Sequence, residues 1–87
     1  MSTKTKEQQL PSWFRGELYK EGATVQNRFS GEEYKLNAIE LSMYDYIMGA
    51  TMMMEMGMHH DKLFTNIGKG LNWFRKNNLD AYWVLLD

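Results

Sequence analysis

His59, His60 and Asp61 stand side by side, with Glu55 four residues before the first of them. Imidazole and carboxylate together form a donor set that suits zinc or nickel. Adjacent histidines at a helix break are more often solvated linker residues, and that reading is preferred. Gly68-Lys69-Gly70 carries the glycines by which phosphate-cradling loops let an anion approach backbone amides, yet it lies inside an amphipathic pattern and lacks the rest of such a motif. The two glycines are read instead as places of close helix packing, against Gly49 and Ala50. Ser42, Tyr44, Asp45 and Tyr46 offer hydroxyls and a carboxylate, but no histidine sits at helical spacing to serve as a general base. No catalytic residue, metal site or cofactor is assigned, and the chain is read as non-enzymatic. Copper is set aside for want of a cysteine or a suitably placed histidine pair.

Two other groups of residues bear on binding. The stretch MGATMMMEMGM is rich in unbranched thioethers, which repack around different partners. Met48, Met52 and Met54 are expected inside, and Met53 and Met56 toward a partner. Trp73 falls off the apolar stripe of its helix, so it joins Met53 and Met56 as a candidate interaction surface unless another part of the chain covers it. Lys62, Lys69 and Lys76 recur every seven residues along the same helix. With Arg75 and Trp73 they form the alternative candidate, a set of anion contacts tracking a nucleic acid. Trp-Phe-Arg occurs twice, at residues 13–15 and 73–75, but nothing around the two copies matches and the recurrence is read as chance.

The elements that position these residues follow from periodicity. Residues 1–9 are polar and read as a disordered tail, without the apolar core of a secretory signal or membrane anchor. Pro11 and Gly16 bracket a single helical turn carrying Trp13 and Phe14. From residue 24 to 36 the period is two, with Ser30-Gly31 at the centre, which predicts a β-hairpin in which Val25, Asn27 and Phe29 share one side of their strand. Gly22 is read as loosening the chain before the first strand. Asn37 followed by Glu40 predicts a capping box and a helix start. Along that helix Ile39, Met43, Ile47, Ala50 and Met54 form one stripe, and Leu41, Tyr44, Met48 and Met52 an adjoining one. So wide an arc predicts either a central helix or one that partly faces another chain. Gly57 breaks it. A second helix over residues 62–76 buries Leu63, Phe64, Ile67, Leu71 and Phe74, and Asn77-Asn78 ends it through a left-handed conformation. Asp80 caps a last short helix over residues 81–86. The fold class is α+β, a small hairpin packed with two main helices and short terminal helical elements, in one domain over residues 10–87.

Composition limits the function classes. The 87 residues are 44% hydrophobic and 24% charged, enough for one core and a solvated surface. A net charge of −1 gives no long-range pull on polyanions. There is no cysteine, hence no disulfide, thiolate ligand or cysteine nucleophile. No apolar run reaches the ~20 residues that span a bilayer.

The order TVQNRFSGEEYKL, ELSMYDYIMGA, GLNWFRKNN and AYWVLLD resembles small proteins encoded by tailed bacteriophages, notably myoviruses of marine cyanobacteria. The resemblance spans residues 22–87 and rests on the FSGE turn, the YD-x-I-x-G helix and the ending from WFRKNN to LLD. The chain departs from it in having Asn78-Leu79 where Asn-Pro is expected. It implies a phage origin and expression in the cytoplasm of a bacterial host or presence in the virion, with no activity, cofactor or catalytic residue to carry over. The expected role is that of an accessory protein that forms a homodimer or binds a host or virion protein.

Overall fold

A computed structural model describes residues 8–58 and 60–86. The order of elements is β1 (Ala23–Gln26), β2 (Glu33–Leu36), α1 (Ala38–Glu55), α2 (Asp61–Asn77), the single turn α3 (Leu79–Ala81) and a π-helical segment, Tyr82–Leu86. This is the mixed α+β architecture expected, mostly helical, except that the helical turn expected between Pro11 and Gly16 is a plain turn closed by the Phe14 amide on the Pro11 carbonyl at 3.0 Å. Residues 1–7 of the expected tail lie outside the described residues. Gln8 and Gln9, read with that tail, are instead built into the fold.

The hairpin is antiparallel, with Val25 opposite Tyr34 and Ala23 opposite Leu36. Facing residues in an antiparallel pair share a side. Val25, Tyr34 and Leu36 therefore point to the core together, and Thr24, Gln26, Glu33 and Lys35 point to solvent. Phe29 is not on that face. It lies in the connecting loop and is 86% exposed. Asn27 organises the loop, its Oδ1 accepting from the amides of Phe29 at 2.8 Å and Ser30 at 3.2 Å, while Gly31 takes a φ of 80° that favours glycine. Gly22 has a different reason from the one expected: a Cβ there would overlap the Leu36 carbonyl oxygen and lie 2.8 Å from Asn37 Cα.

α1 starts with the predicted capping box. Asn37 Oδ1 accepts from the Glu40 amide at 2.8 Å, and Glu40 Oε1 accepts from the Asn37 amide at 2.9 Å. Met43, Ile47 and Ala50 form its buried face, and Met54 is half-buried. Met52, expected inside, is 56% exposed. α2 crosses α1 at Gly70. A Cβ on Gly70 would sit 2.8 Å from Ile47 Cγ1 and 3.3 Å from Met43 Sδ, so any larger residue would force the Ile47 side chain to shift. Gly49 and Gly68 meet nothing within 4 Å and do not mark the crossing. Phe74 and Ile47 are buried as predicted, whereas Leu71 is half-buried and Phe64 is 54% exposed. Phe64 sits in the first turn of α2, before the helix reaches the crossing.

The end of α2 also differs from expectation. Asn78 has a φ of −157°, extended rather than left-handed, and it is Asn78, not Asp80, that caps the following turn, accepting from the Ala81 amide at 3.2 Å. Its burial explains the choice. Asn78 and Glu40 are both fully buried, and Asn78 Nδ2 donates to Glu40 Oε2 at 2.8 Å. Gln8 Nε2 donates to the same oxygen at 2.8 Å and Asn37 Nδ2 to Gln8 Oε1 at 2.8 Å, while Tyr34 Oη donates to Asn78 Oδ1 at 3.2 Å. Among the described residues no buried side-chain nitrogen or oxygen lacks a partner. These hydrogen bonds offset part of the cost of burying the Glu40 carboxyl.

Candidate interaction surface

α1 ends in a Schellman motif. The Met58 amide donates to the Met53 carbonyl at 3.1 Å and the Gly57 amide to the Met54 carbonyl at 3.0 Å, with Gly57 at a φ of 93°. This 6→1 closure, with the matching 5→2 bond, turns the residue after the glycine back against the last turn of the helix. Met58 is thereby brought beside Met53. Around this one corner Met52, Met53, Met56 and Met58 are 56%, 41%, 73% and 52% exposed, and Phe64 follows in the first turn of α2. Such clustering of large apolar side chains in solvent is what marks an interaction site rather than scattered surface hydrophobicity.

Met53 and Met56 thus lie on the surface where the sequence put them. Trp73 does not. It is 8% exposed, its ring packs edge-on against Phe74 with centroids 5.1 Å apart, and its Nε1 donates to the Gln9 carbonyl at 2.9 Å. The N-terminal segment supplies the cover, which is why Gln9 belongs to the fold. Met52, Met58 and Phe64 were missed as surface residues. For Met58 the signal was present as a glycine after a long apolar helix followed by a large apolar residue.

The basic residues separate in the same way. Lys62, Lys69 and Lys76 are exposed along α2. Lys69 Nζ lies 5.8 Å from the centre of the Trp13 ring, and Lys69 and Lys76 rim a shallow hollow of about 290 Å³. Arg75 is exposed as well but is tied to its own chain: its Nη2 donates to Tyr82 Oη at 2.7 Å, its Nη1 to Asn72 Oδ1 at 3.2 Å, and its guanidinium covers the Tyr82 ring at 4.7 Å. No family model, curated protein or solved structure matches this chain.

A groove of about 500 Å³ runs between the hairpin loop and the two helices, with Ile47, Met48, Ile67 and Leu71 among its walls. Tyr44 lines it, and burial raises the phenol above its ordinary range, with Arg28 opposing the shift. Arg28 is itself compensated, lying 4.9 Å over the Phe29 ring and 3.4 Å from Glu55 Oε2. His60 precedes α2 without capping it through its side chain, Asp61 opens the helix, and His59 lies outside the described residues. Among the described residues no three His, Cys, Asp or Glu side chains converge as a metal site, and no helix is long and apolar enough to cross a membrane.

Proposed function

We propose that this protein is a small non-enzymatic interaction module, a phage accessory protein that self-associates or binds a host or virion protein through the methionine corner. The observation that carries the reading is the exposure of Met52, Met53, Met56 and Met58 around one turn. Thioether side chains are soft and adaptable, so such a corner accommodates a partner of varied shape. A symmetric dimer is the simplest occupant, because a two-fold contact sets the same patch against itself. The bacteriophage origin rests on the resemblance of residues 22–87 alone.

Sedimentation equilibrium from low to high micromolar concentration tests the dimer. The expected result is a rising mass, abolished in Met52→Glu/Met56→Glu without loss of helical signal. A single species at the monomer mass of 10.3 kDa throughout would assign the corner to a different protein. The nucleic-acid reading keeps one supporting observation, Lys69 and Lys76 beside Trp13. It predicts salt-dependent anisotropy with a single-stranded oligonucleotide, reduced in Lys69→Ala/Lys76→Ala.

A further inference from the structure

The methionine corner contains a donor set that carboxylate and cysteine patterns do not reveal. Met53, Met58 and His60 line one pocket of about 380 Å³, with Lys62 and Leu63 on its rim. The two methionines share this pocket because the 3.1 Å bond from the Met58 amide to the Met53 carbonyl turns residue 58 back onto the last turn of α1. His60 stands two residues on, exposed, with no side-chain bond to the helix it precedes. A neutral imidazole presents one nitrogen lone pair.

We propose that Met53, Met58 and His60 form a binding site for a soft monovalent d¹⁰ cation, copper(I) or its stable analogue silver(I). Three arguments select this class. Thioether sulfur is a soft donor that favours copper(I) over zinc or the hard cations, and imidazole is compatible with it. The lack of cysteine, which sets copper aside on the sequence alone, leaves the thioethers as the softest donors in the chain. Lys62 on the rim places a positive charge beside the ligands, which opposes a divalent ion more than a monovalent one. The site needs one copy of the chain, so the one-to-one ratio of silver to chain distinguishes it from self-association through the same corner.

The test uses the full chain, labelled with ¹³C at the methionine ε-methyl groups and titrated with silver nitrate in chloride-free buffer. Native mass spectrometry should show one silver ion per chain, and the Met53 and Met58 methyl signals and the His60 ring signals should move together. Zinc at the same concentration should leave the Met53 and Met58 methyl signals unmoved. Met53→Leu/Met58→Leu nearly conserves volume at an exposed position, so it should fold as the parent does and weaken silver binding at least about tenfold. Met52→Leu should bind as the parent does. Silver shifting all exposed methionine methyls alike, or binding the double variant as tightly as the parent, would overturn the proposal.

Discussion

Glu40 was legible in the sequence as one half of a capping box and illegible as a buried charge. The cap is a matter of three residues' spacing, whereas the burial depends on Gln8 and Asn78, which lie 32 and 38 positions away. Asn78 was read as a helix stop for the right place and the wrong reason. Its Nδ2 serves the Glu40 carboxylate, and its Oδ1 serves both Tyr34 Oη and the Ala81 amide. Asn78→Ala removes these bonds in the interior and should cost about 3 kcal/mol, since losing a donor to a buried carboxylate is among the costlier single deletions. Asn78→Asp should cost more, because it sets a second carboxylate against Glu40. Urea unfolding measures both, and an alanine variant as stable as the parent would mean that Glu40 finds equivalent donors elsewhere.

Glycines show why the helix crossing could not be read at the level of elements. Gly68 and Gly70 lie two apart, on opposite faces of α2. Composition favours neither. The structure chooses Gly70, under Ile47 and Met43, and leaves Gly68 and Gly49 in open space. Gly70→Ala should therefore destabilise by about 1–3 kcal/mol through overpacking. Gly68→Ala and Gly49→Ala should each stabilise by roughly 0.5–1 kcal/mol, the ordinary helix preference for alanine. Thermal melts of the three variants decide it, and a neutral Gly70→Ala would place the close approach elsewhere. The hairpin, both long helices and the Gly57 break were predictable from period and capping because their signals are local. The cover over Trp73 was not, since it comes from Gln9, 64 positions away.

At the scale of the molecule, the wide apolar arc of α1 led to the expectation of a partner chain. Much of that arc is covered from within. Phe14 packs on Tyr46 with centroids 5.5 Å apart, and Leu36, Tyr82 and Leu85 are buried in the same cluster as Met43 and Ile47. The Cα radius of gyration of 12.5 Å is close to the roughly 12 Å of a self-contained domain of this length. The excess on α1 lies at its end, in the corner from Met52 to Met58. Self-association should accordingly be an addition to a folded monomer. The thermal midpoint should level off at a constant value at low protein concentration, where the monomer folds alone, and rise only modestly by mass action where sedimentation detects dimers. A midpoint that climbs steeply with concentration would mean that the chain folds only as it pairs.

The carboxylate of Glu40 takes one hydrogen bond from Gln8, near the start of the chain, and another from Asn78, near its end. During synthesis the first of these residues leaves the ribosome long before the second has been made. α1 and its capping box can form early, since both are local, yet the polar knot beneath the N-terminal segment waits for the last stretch to emerge. Chains stalled on the ribosome before Asn78 emerges should remain open to protease along residues 8–14, and emergence of Asn78 should close that segment.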